Sequence, residues 1–344
     1  MASTIAQYSF PPFLISLIIG IPSIFLYTIE VIILLVYRRS FQSSVFHLFI
    51  VRFISNFINY FCSFFYVRFG RVGLFFDFFD SLPSFVLGIT FFVTYYSFHV
   101  DNFSTLFILL NRLTLILVPL KHNTIWKYLF PISILTIFLA PLSYTYQTLG
   151  YDFYVRHQGD NRTFTTDFRK EEGKTYIRSV YLCAISAVAF CVICGLLNII
   201  TVILYSRNNR KFKLSGVTKN FSKKREEHKM ESRLTMYAII TFVAQLFIAI
   251  YYILKYWSGG VPERDNIFLA TCAQYGWVND LCTIVIPAVC LIWASSNVRD
   301  KLLTVLWIRG TVMEELFTKK SSQAETQHKI VVVTWRNLYN NSLD

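Results

Sequence analysis

Seven apolar runs, each long enough to cross a bilayer and each bounded by charged or turn-forming residues, constrain this chain more than any other feature. They extend from Leu14 to Tyr37, Val45 to Val67, Ser84 to Val118, Trp126 to Thr145, Tyr176 to Tyr205, Leu234 to Tyr256 and Ile267 to Trp293. About 20 mainly apolar residues carry a helix across the hydrocarbon core, where no water is present to satisfy backbone N–H and C=O groups. The pattern predicts an all-α membrane protein, a seven-transmembrane helix bundle. Charged residues make up 15% of the 344, against roughly 25% in a soluble domain. Seven spans use most of the chain, which leaves no room for a catalytic ectodomain. The first run has no basic flank, is longer than the apolar core of a signal peptide and contains Glu30, so it reads as a retained span.

Net charge is +13, and its distribution carries more information than its sum. With the N-terminus outside, the inner segments hold 21 Lys and Arg residues and the outer segments hold 10. Basic residues are retained on the cytoplasmic side, so the N-terminus is expected outside and the C-terminus inside. Asn161-Arg162-Thr163 is a glycosylation sequon that lies on the outer side under this orientation. Nucleic acid is excluded as a partner, because the basic residues edge membrane spans rather than a soluble face; the partners expected from this layout are membrane lipids.

Loops one, two and six are short, so consecutive spans are expected as antiparallel neighbours. The charged run from Lys223 to Lys229 is expected to extend the sixth helix into the cytoplasm, and Val298 to Trp307 has the helical spacing of a short amphipathic helix. Such a helix lies along the inner membrane surface with Leu302, Val305, Leu306 and Trp307 buried. The expected organisation is a short outer N-terminus over 1–12, a seven-span domain with its juxtamembrane helix over 13–307, and a cytoplasmic tail over 308–344. All seven cysteines lie in or beside apolar runs, where free cysteine behaves as a small hydrophobe. Cys191 and Cys194 are three apart on a helix but have no histidine nearby, which reads as packing, and the six histidines are scattered, so no metal, cofactor or enzyme chemistry is expected.

Polar residues inside the spans mark function, since a charge at membrane depth is costly unless paired or facing a cavity. Glu30 and Arg52 lie at similar depth near the inner ends of spans one and two and are candidates for an ion pair. Arg52, Asn56 and Asn59 recur at i, i+4 and i+7 and form one stripe on span two. Asn279 and Asp280 fall at a depth matching Asn56, so a polar network is expected between spans two and seven. Tyr95, Tyr96, His99, Asp101 and Asn102 of span three, with Gln245, Tyr252 and Lys255 of span six and Gln274 of span seven, are the expected lining of an outer pocket. At the inner end of span three, Asn111-Arg112 is a switch candidate, because the guanidinium fork can hold neighbouring helices or a partner's carbonyls.

The segment Leu110-Asn111-Arg112 through Pro119-Leu120-Lys121-His122, with Trp126 after it, resembles the nematode serpentine receptor class gamma family of chemoreceptors. Phe242, Gln245 and Leu246 are similar to that family's sixth span. Val278-Asn279-Asp280-Leu281 through Pro287, and Ser296-Asn297-Val298-Arg299, are similar to its seventh. The resemblance covers residues 13 to 307. It implies a plasma-membrane or ciliary chemosensory receptor, with an external small molecule or peptide as ligand and a heterotrimeric G protein as inner partner. Asn111 stands where rhodopsin-like receptors carry an acid before the arginine, which removes the usual ion-pair latch. The cysteine pair that usually ties span three to the following long outer loop is absent as well. A ligand-gated channel or transporter-like protein is the alternative; seven unequal spans without an evident repeat argue against it.

Overall fold

A computed structural model describes residues 3–41, 43–158, 163–169, 179–214, 221–259 and 265–305. Among them, seven helices are long and apolar enough to cross a membrane: Ser9–Val36, Ser44–Ser63, Ser84–Leu117, His122–Gly150, Val180–Arg207, Ile239–Ser258 and Tyr275–Ala294. These are spans one to seven. Span one is the greater part of α1 (Ser3–Val36); span two is α2 (Ser44–Ser63), prolonged by a π-helical turn over Phe64–Arg68 and by α3 (Phe69–Val72). The short α4 (Phe76–Asp80) leads to span three, α5 (Ser84–Leu117). Span four is α6 (His122–Thr145) with a 3-10 turn over Tyr146–Gly150, span five lies in α7 (Ser179–Leu214), and span six in α8 (Phe221–Ser258). Because α8 begins at Phe221, the charged run is indeed continuous with the sixth span. Span seven is α10 (Tyr275–Asp280), a π-helical turn over Leu281–Val285 and α11 (Ile286–Ala294).

Span seven starts later than its apolar run suggests. A turn at Gln274 separates α10 from α9 (Asp265–Ala273), so Asp280 sits near the start of the span instead of at its middle. The bundle up to Ser295 is one compact unit, and α12 (Ser296–Val305) belongs to the segment after it. Helical geometry over Ser296–Val305 agrees with the amphipathic reading; Leu306, Trp307 and the tail lie outside the described residues.

Packing within the bundle follows from which faces are apolar all round and which carry polar groups. Span three is buried along its length, packing against spans two, four and five. Spans four and five expose Ile132, Leu135 and Leu139, and Val188, Val192, Leu196 and Ile199, at helical spacing. Large aliphatic stripes of this kind on a membrane protein face lipid, which is as apolar as leucine itself.

The long loop between spans four and five carries a hairpin, β1 (Phe153–His157) paired antiparallel with β2 (Phe164–Phe168). All seven cysteines are free, so aromatic packing holds this loop where a disulfide does not. Phe153 N–H donates to Ser84 Oγ at 2.7 Å, and its ring lies 5.0 Å from Phe91. Phe164 packs on Phe79 at 5.3 Å, and His157 stacks on Phe76 at 3.9 Å. Gly70 permits the approach of β2, since a Cβ there would meet the Phe164 carbonyl at 2.5 Å. The sequon at Asn161 lies outside the described residues.

Candidate functional site

Two buried arginine-carboxylate pairs join span two to its neighbours. Arg52 Nε donates to Asp101 Oδ1 at 2.7 Å and Arg52 Nη2 to Oδ2 at 3.1 Å, tying span two to span three. Asn56, one turn further on, donates from Nδ2 to Asp101 Oδ1 at 2.8 Å and to the backbone carbonyl of Thr283 in span seven at 2.9 Å. That carbonyl is available for a sequence reason: Pro287, four residues on, has no N–H to return to it. The second pair is Arg68 with Asp280, two bonds of 2.7 and 2.5 Å, with neither side chain more than 2% exposed. The Arg68 guanidinium also lies over the rings of Phe64 and Tyr60, 4.3 and 5.0 Å from their centroids. Charge-assisted bidentate geometry and ring faces together make burial of a charge tolerable.

Two expectations are corrected by this geometry. Arg52 does not pair with Glu30; spans two and three pack closely enough for Asp101 to receive two of its donors, Nε and Nη2. Glu30 is fully buried, and neither of its carboxylate oxygens has a hydrogen-bond partner. Nor does Asp280 meet Asn56. A span-two to span-seven network exists, but Asp280 reaches Arg68, while Asn56 reaches Thr283, three residues beyond Asp280. Asn279 is buried beside Asp280, its Nδ2 without a partner. Arg68 and Thr283 were missed from sequence. Pro287 is the sequence signal for Thr283; Arg68 has none, since the stripe through Arg52, Asn56 and Asn59, continued at ideal helical spacing, reaches residues 66 and 67 instead.

The expected pocket residues are divided among several places. Tyr95 and His99 line a cavity with Tyr144, Gln147, Tyr151 and Leu182, between spans three, four and five. Its volume of about 10 Å³ has room for one water. His99 Nδ1 lies 3.3 Å from Ser186 Oγ and Nε2 lies 3.8 Å from Cys183 Sγ, with the Tyr144 ring edge-on at 4.8 Å. Asp101 is taken up by Arg52 and Asn56 and does not line this cavity. Tyr96 turns to span four, its hydroxyl donating to the Phe138 carbonyl at 3.0 Å. Tyr252 packs on Phe98 at 4.5 Å, and Lys255 Nζ lies 6.0 Å from the Tyr251 ring centroid. Gln274 accepts from Trp277 Nε1 at 2.6 Å. Asn102 and Gln245 are buried; Asn102 Nδ2 and both polar atoms of the Gln245 amide have no partner.

At the opposite end of the bundle, Asn111 Nδ2 donates to Ser44 Oγ at 2.7 Å, a neutral link from span three to the start of span two. Arg112 beside it is buried. Thr114 gathers span four to the same region: Trp126 Nε1 donates to its hydroxyl at 2.7 Å, and His122 Nδ1 lies 3.3 Å away. Among the described residues no group of three or more His, Cys, Asp or Glu is arranged to hold a metal ion.

Comparison with known proteins agrees with this architecture. Residues 13–302 match the family described as Srg family chemoreceptor. Serpentine receptor class gamma-31 of Caenorhabditis elegans is 26% identical over 220 residues, covering 63% of this chain and 64% of that protein. The aligned stretch thus spans a little under two thirds of the relative's length.

Proposed function

We propose, from the premise that this chain belongs to the Srg chemoreceptor family, that it is a chemosensory receptor with its N-terminus outside the cell. In this reading an external small molecule or peptide enters the N-terminal end of the bundle. The opposite end, around Asn111, Arg112 and the basic segment before span six, engages a heterotrimeric G protein. The protein acts as a conformational switch and not as an enzyme.

The observation that carries this reading is unused hydrogen-bonding capacity inside the bundle. Asn102, Gln245 and Tyr251 are buried with side-chain polar atoms that have no partner, and a native interior leaves few such groups without a purpose. A ligand that satisfies them repays their desolvation and favours whichever helix arrangement presents them best. Spans two, three and seven, tied through Arg52, Asp101, Asn56 and Thr283, then offer a physical route between the two ends.

Ligand-dependent G-protein activation in cells expressing the receptor tests the coupling half. Arg112→Ala is expected to abolish that activation with surface expression unchanged; full signalling by this variant would remove Arg112 from the mechanism.

A further inference from the structure

A second cavity of similar volume lies near the N-terminal ends of spans one and seven, where they meet the C-terminal end of span two. Its polar lining comes from Ser9, Ser16, Arg68 and Arg71, with Cys272 and Gly276 across from them. Arg68 is charge-matched by Asp280, yet its Nε is buried and unpartnered; Arg71 Nη1 is buried and unpartnered too. Arg71 takes part in no ion pair among the described residues. Ser9 is 3% exposed and its Oγ has no partner. Ser16 spends its own proton on the Phe13 carbonyl at 2.8 Å, so the donors here are the two arginines and Ser9. The Asp280 carboxylate balances one positive charge of two, which leaves the cavity with a net charge of +1 before any occupant enters.

We propose that this cavity is a subsite for a small monoanion: chloride, or the carboxylate head of an external ligand. Arg71 is partly exposed as a residue, but its Nη1 is out of water without an acceptor; a buried donor left unsatisfied is costly, and an anion relieves it while giving Ser9 Oγ an acceptor. Size narrows the class. The cavity volume is about 10 Å³, enough for one water-sized group. One carboxylate oxygen or one chloride fits; a phosphodiester with four oxygens does not. Gly276 keeps the wall low on the span-seven side, where a Cβ would meet Ser16 at 3.4 Å. This inference stands apart from the receptor reading, because it concerns binding by the purified protein and not signalling.

The test is thermal unfolding of the full chain in neutral detergent with sulfate, a dianion whose four oxygens exceed the cavity, as the only starting anion. Chloride or acetate is then titrated in. At a hundredfold excess over the dissociation constant the melting temperature is expected to rise by about 5 °C. Arg71→Gln, at a partly exposed helix end, should fold and lose most of that rise, and Arg71→Lys should keep part of it. Stabilisation by chloride alone identifies an inorganic occupant, and stabilisation by acetate as well identifies the carboxylate class. No rise with either anion, or an undiminished rise in Arg71→Gln, overturns the proposal.

Discussion

Removing the Asp101 carboxylate places the largest identifiable strain on the buried network. Three hydrogen bonds end on it: two from Arg52, at 2.7 and 3.1 Å, and one from Asn56 at 2.8 Å. At about 0.6 to 1.7 kcal/mol for each intramembrane hydrogen bond, their loss costs about 2 to 5 kcal/mol. That range agrees with the roughly 3 to 5 kcal/mol expected when one partner of a buried ion pair is deleted. Arg52 is 1% exposed, so its charge cannot move to water when Asp101 is gone. Taking about 2 °C of melting temperature per kcal/mol in a chain of this size, Asp101→Leu should melt about 6 to 10 °C below the wild type. The free cysteines supply the assay: a thiol-reactive fluorophore reads unfolding as buried Cys183, Cys194 and Cys282 become accessible. A double variant, Arg52→Leu with Asp101→Leu, removes the orphaned charge while Asn56 keeps its bond to Thr283, 2.9 Å long. It should recover at least half of the loss. An Asp101→Leu protein that melts with the wild type, or a double variant no more stable than the single, would refute the argument that an uncompensated charge is what the pair prevents.

Two further perturbations probe close approaches elsewhere. Gly20→Ala places a Cβ at 2.7 Å from Asp280 Oδ2 and 2.9 Å from the Tyr60 hydroxyl; the overpacking cost of about 1 to 3 kcal/mol exceeds the gain of up to about 1 kcal/mol in helix propensity. The variant should therefore melt lower, and a higher melting temperature would show that Arg68 and Asp280 do not need the space. Phe153→Ala removes the ring that anchors the hairpin on Phe91, 5.0 Å away, and should speed limited proteolysis of the 153–168 segment about tenfold while leaving global melting within about 2 °C, since local opening and global unfolding draw on different contacts.

The spans were legible because lipid forces a simple rule on the backbone, and apolar length alone satisfies it. The charged run before span six was legible for a related reason, since helical spacing continues across it into α8. Pairing was harder to read. Arg52, Asn56 and Asn59 reveal which face of span two turns inward, but a periodicity names a face and not a partner. Arg68 shows where the rule fails. The stripe would continue through Ser63 towards residues 66 and 67 at ideal spacing, and the π-helical turn over Phe64–Arg68 inserts one residue, a device common at functional positions. That insertion carries Arg68 from the expected loop into the bundle. The hairpin left no comparable signal, because its stability comes from rings on α4 and α5 that are distant in sequence.

Charge matching explains why the network took the form it did. Spans one, three and seven hold the acids Glu30, Asp101 and Asp280, and span two with its extension holds the arginines Arg52, Arg68 and Arg71. Depth along the helices leaves more than one assignment open, and Glu30 with Arg52 is among them. Bidentate geometry closes the choice: an arginine fork needs both carboxylate oxygens in its plane, and a helix packed alongside span two over much of its length, as span three is, delivers that. Asp280 meets the same requirement for Arg68 only because Gly20 leaves room for the carboxylate beside Tyr60. Glu30 is the acid left over, and its burial without a partner is the cost of satisfying the other two.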